Sequence, residues 1–266
     1  PATTVVGNGS KEDILVAVNG QKVDKRGNRE QFLSSAIKSP EVKMTFLRGG
    51  KEIDVKLHTV SYSDIKNWLY NEWEDTNRAL VDKLGGGKIA YTHMRDMGGE
   101  ELNEFLKDMH TRTIGKEAII IDLRYNNGGN VHKEVLDFLA QKAHFNWGYR
   151  DFPTNPHPNV TPGDIPIIAL VNERSLSDAE VTSNGIQTLG LATIVGTETY
   201  RWIIFTTGTT LLDGSYLRLP AWGCYSLDGK DLESTGVKPD IYVKNTFKDR
   251  LLGKDPQLER AVEEAI

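Results

Sequence analysis

Apolar and polar residues alternate through the first part of the chain, which is the spacing of β-strands with one buried face. Residues 13–23 alternate in this way and contain Asn19-Gly20, a dipeptide that favours the tight turn of a β-hairpin. The same region predicts a loose start over residues 1–9, a helix over residues 28–39, and a second hairpin over residues 42–47 and 52–57. The N-terminal part of the chain is therefore predicted to be rich in β-structure.

From residue 61 onward the apolar spacing changes to that of helices and buried strands. Residues 61–84 carry apolar side chains at helical spacing and predict a connecting helix that ends at Gly85-Gly86-Gly87. Beyond it, strands are predicted over residues 88–94, 118–123, 165–171 and 191–196, with helices over residues 99–110, 131–142 and 178–189. Such alternation predicts an α/β domain built from βαβ units. The last predicted elements are a hairpin arm over residues 211–219 and a terminal helix over residues 255–266.

Composition and charge exclude several functions. The chain has 266 residues, of which 38% are hydrophobic and 26% charged, enough for one large or two smaller globular domains. Its net charge of −5, with Lys and Arg scattered, gives no electrostatic reason to expect nucleic acid as a partner. The lone Cys224 rules out an internal disulfide and a cysteine-rich zinc site. No cofactor or metal is predicted, and no apolar run approaches the roughly 18 residues that a membrane span needs.

A serine at the junction of a predicted strand and a predicted helix is the main candidate for chemistry. Residues 172–180 read Asn-Glu-Arg-Ser-Leu-Ser-Asp-Ala-Glu and follow the apolar run 165–171. A serine on such a sharp turn presents its hydroxyl at the top of the sheet, beside the free N–H groups of the first helical turn. Ser177 is therefore a candidate nucleophile. The alternative is that Ser177 only caps the helix.

A glycine pair in an earlier loop strengthens this interpretation. The buried strand over residues 118–123 runs into Arg-Tyr-Asn-Asn-Gly-Gly-Asn at 124–130. Adjacent glycines let the backbone approach a ligand closely and present its N–H groups. An ordinary strand-to-helix turn is the alternative, but beside the serine loop the pair Gly128-Gly129 looks like half of an oxyanion hole.

Four segments in a fixed order resemble the tail-specific, or C-terminal-processing, serine peptidases, and the tricorn core protease branch most of all. They are Lys-Ile-Ala-Tyr-Thr-His-Met-Arg-Asp-Met-Gly at 88–98, Asp-Leu-Arg-Tyr-Asn-Asn-Gly-Gly at 122–129, the serine loop at 172–180, and Leu-Glu-Ser-Thr-Gly-Val-Lys-Pro-Asp at 232–240. The resemblance covers most of residues 10–266. It implies a partial PDZ-like, β-rich domain over residues 1–60, the connecting helix at 61–84, and a ClpP/crotonase-like α/β catalytic domain over residues 85–266.

The resemblance also implies roles for particular residues. Ser177 matches the nucleophile, and the backbone N–H groups of Gly129 and Asp178 match the oxyanion hole. Glu233 matches the acidic residue that, in tricorn-type enzymes, helps to orient the catalytic histidine through a serine. The tail-specific branch instead uses a lysine after the nucleophile, but no lysine stands in that region here, and the guanidinium of Arg201 stays protonated. A Ser-His mechanism is therefore favoured over a Ser-Lys mechanism.

The general base is not expected among the histidines of this chain. The resemblance implies a histidine upstream of the PDZ domain, whereas the chain is expected to start inside that domain. None of the six histidines matches the family position: His58, His93, His110, His132, His144 and His157. His93 is predicted to be packed in a strand, and His132 to lie on a helix surface. The chain is expected to hold the nucleophile and the oxyanion hole without the base, and a serine without a base is a poor nucleophile.

The resemblance implies a serine endopeptidase or carboxy-terminal-processing peptidase that acts on peptide or protein substrates. One alternative is a catalytically dead peptide-binding module on the same scaffold, suggested by the absent base and by Ile203-Ile204 where the family has an aromatic-Gly-Gly turn. Another is a crotonase-like acyl-thioester enzyme, which uses paired backbone N–H groups but needs neither Ser177 nor Glu233. Substrate preference, compartment and assembly into a homo-oligomer stay open.

Overall fold

The computed structural model describes residues 13–24, 26–34, 39–160 and 162–266, and the chain divides into two units, Pro1–Trp73 and Glu74–Ile266. The loose start predicted over residues 1–9 lies outside the described residues, as do positions 35–38 of the helix predicted over residues 28–39. Each unit is built around its own sheet.

The N-terminal unit is a four-stranded antiparallel sheet, and both predicted hairpins are confirmed. Its elements are β1 (Ile14–Val18), β2 (Gln21–Lys22), α1 (Arg29–Ser34), β3 (Glu41–Arg48) and β4 (Lys51–His58), with the strands in the order β2-β1-β3-β4. The first turn has positive φ at both Asn19 (47°) and Gly20 (81°), as the twist of a two-residue hairpin requires. Val18 and Val42 of the sheet form a small core with Phe32 of α1. The assignment of this unit to a PDZ-like domain remains a prediction.

The predicted connecting helix is present as α2 (Tyr62–Leu84). It begins at Ser61, whose hydroxyl accepts the N–H of Asp64 at 3.0 Å while the Asp64 carboxylate accepts the N–H of Ser61 at 3.1 Å. The boundary between the two units falls within this helix, after Trp73. The domain limits expected at residues 60 and 85 therefore remain predictions.

The C-terminal unit is organised by a five-stranded parallel sheet with helices on both faces. Its sheet has the order β13-β10-β9-β6-β5, formed by β5 (Ile89–His93), β6 (Ala118–Asp122), β9 (Ile167–Val171), β10 (Thr193–Gly196) and β13 (Ile241–Tyr242). Its longer helices are α3 (Gly99–Thr111), α4 (His132–Leu139), α5 (Asp178–Leu189) and α8 (Pro256–Ala265). All five residues in each of β5, β6 and β9 are buried, which explains why β6 and β9 read as nearly continuous apolar runs, whereas β5 also carries Thr92 and His93. The predicted α/β class is confirmed.

Alternate residues of each central strand serve two separate cores. Ile119 and Ile121 face a core that also contains residues of α3, α4 and α5. Ala118 and Ile120 face a second core that contains Val81 and the buried side of α8. The period-two alternation of a strand thus produces a three-layer arrangement, with the carboxyl ends of the strands at one edge.

Several short elements were not predicted. The arm is longer than expected, because β11 (Ile204–Thr210) pairs with β12 (Tyr216–Gly223) and much of the predicted 211–219 segment forms their turn. A small hairpin of β7 (Phe145–Trp147) and β8 (Asn155–His157) lies between α4 and β9. The last two are the short helices α6 (Leu232–Thr235) and α7 (Phe247–Leu251).

A buried arginine fixes the chain just after β6, where the glycine loop begins. Arg124 is 1% exposed, and its guanidinium donates to both carboxylate oxygens of Asp122 and, at 2.8 Å, to both oxygens of Asp255, the N-cap residue of α8. Burial by itself raises the pKa of the Asp122 carboxyl, but the charge and hydrogen bonds of Arg124 outweigh burial and hold that pKa below its ordinary value. The network ties the end of β6 to the start of the last helix.

Candidate active site

Ser177 lies on a sharp turn between β9 and α5. It is the N-cap residue of α5 and has φ 57° and ψ −119°, a conformation that a residue with a Cβ rarely adopts. Backbone strain of this kind is held only where the surroundings impose it, and it is typical of a serine on a nucleophile elbow. The turn expected from the sequence is therefore present.

The helix-capping alternative is partly correct as well. The carboxylate of Glu180 accepts the N–H of Ser177 at 3.0 Å, which is one half of a capping box. The Ser177 hydroxyl faces the N–H of Glu180 in the same arrangement but forms no cap hydrogen bond with it. The cap is thus made chiefly by Glu180, and the hydroxyl of Ser177 is not needed for it.

Glu180 organises the backbone around the serine. Its carboxylate is fully buried and accepts four hydrogen bonds, from the N–H groups of Ser177, Arg201 and Trp202 and from the hydroxyl of Thr199 at 2.6 Å. One oxygen, Oε2, receives the N–H groups of both Ser177 (3.0 Å) and Trp202 (2.8 Å). Two loops that are distant in sequence are therefore held against one carboxylate.

The resemblance implies an aromatic-Gly-Gly turn at the place where this chain has Trp202-Ile203-Ile204. The rings of Tyr200 and Trp202 stack at 5.7 Å between centroids and are each about half exposed. Arg201, at φ 70°, pairs with Glu198. An aromatic pair thus lies in the loop that shares Glu180 with the serine, and Ile203, which replaces the first glycine, is buried.

The glycine loop packs directly on Ser177. A Cβ added to Gly128 would lie 2.6 Å from Cβ and 3.1 Å from Oγ of Ser177, and one added to Gly129 would lie 2.1 Å from the carbonyl oxygen of Met97. Met97 pairs with the loop on both sides, donating to the Gly128 carbonyl at 2.8 Å and accepting the N–H of Asn130 at 2.9 Å. Only a residue without a side chain fits at either glycine.

Two backbone N–H groups are left available beside the serine. Across the ranges that the structure describes, neither the N–H of Gly129 nor that of Asp178 donates a hydrogen bond. The N–H of Asp178 is the first of α5, where the helix dipole favours negative charge. The structure therefore brings together three of the four residues that the sequence singled out: Ser177, Gly129 and Asp178.

The carboxylate of Asp178 joins the serine loop to the start of α4. It is 1% exposed and accepts the N–H groups of Val131 (2.7 Å) and His132 (3.0 Å) through Oδ2. Its Oδ1 lies 2.5 Å from Nδ1 of His132. The expectation of a helix-surface position for His132 is therefore wrong in part, because its ring nitrogen Nδ1 is tied to a buried carboxylate.

The remaining candidates lie in other surroundings. Glu233 is on α6, where its N–H donates to Asp231 at 3.0 Å. In the described part of the chain the Glu233 side chain makes no hydrogen bond or ion pair with Ser177, and its relay role stays a prediction. His93 is buried with Nδ1 2.8 Å from the Asp122 carbonyl, and burial lowers its pKa, so it is a packed strand residue as expected. None of the six histidines hydrogen-bonds to Ser177 among the described contacts.

Sequence reasoning missed two residues of the site, Glu180 and His132. The Ser-x-x-Glu spacing from Ser177 was a usable signal for Glu180, since it is the pattern of a capping box. The place of His132, three residues after Gly129, indicated that it could point toward the loop, but nothing local identified its partner Asp178, which lies 46 positions away.

Neither a metal-binding cluster nor a membrane-spanning helix is found among the described residues. The described residues contain no group of three or more His, Cys, Asp or Glu side chains placed to hold a metal ion. No described helix combines the length and apolar character needed to cross a bilayer.

The chain is similar to known peptidases over almost its whole length. Residues 88–243 match the sequence model of "Peptidase family S41". The chain is 30% identical over 257 residues to the tricorn protease of Thermoplasma acidophilum, covering 95% of this chain and 23% of that protein. It is 29% identical over 260 residues to tricorn protease homolog 1 of Streptomyces coelicolor, covering 96% and 24% respectively. Among solved structures, the crystal structure of the tricorn protease superposes with a TM-score of 0.77 at 27% identity, over 95% of this chain and 24% of that one. The chain thus spans about a quarter of the length of these relatives.

Proposed function

The chain belongs to peptidase family S41, and from this premise we propose that it carries the nucleophile and oxyanion hole of a serine peptidase acting on peptides or proteins. The reaction is that of a serine endopeptidase or a carboxy-terminal-processing peptidase. Ser177 is the nucleophile, and the N–H groups of Gly129 and Asp178 bind the oxyanion.

One observation carries this proposal. The N–H of Asp178, next to the strained Ser177, and the N–H of Gly129, next to the Gly128 that packs on Ser177, come from separate loops and donate no hydrogen bond among the described residues. The close packing of Gly128 on Ser177 leaves no room for a side chain at that glycine, so a Cβ there would disturb the arrangement. An ordinary helix cap needs neither the strain nor the second loop.

The chemistry follows from this geometry. The Ser177 Oγ attacks the carbonyl carbon of a peptide bond and gives its proton to a general base as the C–O bond forms. The carbonyl oxygen becomes an oxyanion, which accepts hydrogen bonds from the N–H groups of Gly129 and Asp178. The base then protonates the amine that leaves, and water releases the acyl group from Ser177 by the same steps.

The base is proposed to come from outside these 266 residues, in the longer protein or in a partner chain. The observation in favour is that none of the six histidines hydrogen-bonds to Ser177 among the described contacts. Glu233 is proposed to orient that base. The neighbouring Arg201 does not substitute for it, because its guanidinium is paired with Glu198 and has no acceptor site for a proton.

The test is fluorophosphonate labelling and peptide hydrolysis by the full-length protein that contains this chain. We expect covalent labelling at Ser177 and loss of both labelling and hydrolysis in Ser177→Ala, because the proposed acyl-enzyme forms on the Ser177 hydroxyl. Ser215→Ala, at an exposed serine of the β11–β12 turn, is the matched control and should behave as wild type. Hydrolysis that survives Ser177→Ala would remove the assignment.

A catalytically dead peptide-binding module is the second candidate. It is favoured by the absence of a histidine bonded to Ser177 and by the buried Ile203 in place of a glycine. It predicts peptide binding that is unchanged in Ser177→Ala, with neither labelling nor turnover in the full-length protein. The same two variants therefore separate the candidates.

A further inference from the structure

The two N–H groups of the proposed oxyanion hole belong to loops that are far apart in sequence. An oxyanion hole works only if both donors lie about 3 Å from one oxygen, so something must set the distance between Gly129 and Asp178. The contact of Gly128 with Ser177 limits how close the loops approach. It does not prevent them from separating.

Upstream of the glycine pair the loops are joined by a hydrogen bond from the N–H of Leu176 to the carbonyl of Asn126 at 3.1 Å, and the side chain of Asp178 supplies a second tie downstream of the pair. The backbone of Asp178 offers one donor of the oxyanion hole. Its carboxylate holds the chain two and three residues beyond Gly129, which offers the other donor. Oδ2 accepts the N–H groups of Val131 and His132 at 2.7 and 3.0 Å, and Oδ1 lies 2.5 Å from Nδ1 of His132. All three donors belong to the start of α4, and the carboxylate is almost completely buried.

The charge of this carboxylate also needs compensation. It lies on the same residue as an N–H that would stabilise a developing negative charge, so an uncompensated carboxylate would oppose the transition state. The N-terminal N–H groups of α4 and the Nδ1–H of His132 direct partial positive charge at the carboxylate. Among the described contacts, His132 thus supplies the side-chain donor that completes the set around the Asp178 carboxylate.

We propose that the Asp178 carboxylate and the His132 imidazole form a clamp that fixes the separation of the two oxyanion N–H groups, which makes His132 a positioning residue. The inference rests on the proposed peptidase function. It assigns no proton transfer with the substrate to His132.

The test compares His132→Ala with His132→Asn in the full-length protein. Alanine removes the donor to Oδ1, whereas the amide nitrogen of asparagine lies close to the place of Nδ1 and can still donate. Because displacement of reacting groups by about 1 Å can cost up to about 10²-fold in rate, we expect kcat to fall by roughly 10-fold to 100-fold in His132→Ala. KM should change less than about 2-fold, since the oxyanion contacts form fully only in the transition state. His132→Asn should recover most of kcat.

A second readout reports on the oxyanion hole directly. A peptidyl boronate forms a tetrahedral adduct with the serine, so its affinity should fall in step with kcat in His132→Ala and recover in His132→Asn. His110→Ala is the matched control and should leave both quantities unchanged, because this exposed histidine contacts Leu106 of its own helix and the ring of Phe138 and makes no described contact with Asp178 or Ser177. If alanine weakens the fold, His132→Leu keeps the bulk of the ring without a donor and should show the same fall in kcat.

The outcomes separate this inference from the function on which it rests. Loss of hydrolysis in Ser177→Ala, with wild-type kcat and boronate affinity in His132→Ala, would overturn the clamp and leave the peptidase assignment intact. Equal losses in His132→Ala and His132→Asn would also overturn it, because the donor would then not be what matters. Hydrolysis that survives Ser177→Ala would remove both proposals.

Discussion

Replacement of Gly128 by alanine would put a methyl group where Ser177 already lies. The new Cβ would be 2.6 Å from Cβ and 3.1 Å from Oγ of Ser177, and 3.0 Å from the Leu176 carbonyl oxygen. The Leu176 oxygen belongs to the backbone and the Ser177 Cβ is attached directly to it, so neither atom can rotate away. One of the two loops must therefore shift by about 1 Å to restore a normal carbon–carbon contact of roughly 3.5–4 Å.

The energetic cost has two separable parts. Gly128 has φ +77°, and alanine in the left-handed region costs about 1–2 kcal/mol. The overlap with Ser177 adds about 1–3 kcal/mol, as for other overpacked sites. Gly86→Ala isolates the first part, because Gly86 has φ +58° and nothing within 4 Å of its added Cβ. We expect Gly128→Ala to lower the free energy of unfolding by about 1–3 kcal/mol more than Gly86→Ala does.

The effect on activity should be larger than the effect on stability. A shift of about 1 Å moves the Gly129 N–H out of hydrogen-bonding range of the oxyanion, and the loss of one such donor costs roughly 10²–10³ in kcat. The assay is kcat and KM of the full-length protein, with urea denaturation of both variants. The reasoning is refuted if Gly128→Ala keeps kcat within about 3-fold of wild type while its stability equals that of Gly86→Ala.

Three further outcomes follow from the buried carboxylates. Glu180→Gln presents an NH₂ group to two of its four donors, so it should lower the free energy of unfolding by about 1–3 kcal/mol and reduce labelling of Ser177, measured by urea denaturation and fluorophosphonate kinetics. Arg124→Met leaves Asp122 buried without its partner and should cost about 3–5 kcal/mol, whereas a loss under 1 kcal/mol in the same denaturation assay would contradict the network. Because the pKa of Asp122 is held below its unfolded value of about 3.9, its contribution to stability is complete above that pH and is lost as pH falls through the lower folded pKa. The acid limb of a stability–pH curve should therefore be shallower in Asp122→Asn than in wild type.

The hairpins and most of the parallel sheet could be predicted because their signals are local. The Asn19-Gly20 turn and the apolar runs of β5, β6 and β9 are readable within a few residues. The β7–β8 hairpin escaped prediction because its three-residue strands are exposed and show no alternation. β13 was not predicted either, because a strand of two residues is too short to show the alternation of apolar and polar positions.

The candidate site divides in the same way. Ser177 and Gly129 could be predicted as site residues because their signals are local. A serine follows one buried strand, a glycine pair follows another, and both patterns match a known family. The partners that hold them were not found. Trp202 reaches Glu180 across 22 positions, His132 reaches Asp178 across 46, and Arg124 reaches Asp255 across 131.

By itself, the sequence determined the α/β class, the order of the main elements and the two loops on which the proposed chemistry depends. These features follow from hydrophobic periodicity, turn residues and short motifs, all of which act within one or two elements. Only the tertiary structure decided that Gly128 touches Ser177 and that one buried carboxylate, Asp178, ties both loops together. The physical reason is that hydrogen bonds and close contacts depend on distances of a few tenths of an ångström between segments, and residue spacing along the chain does not specify such distances.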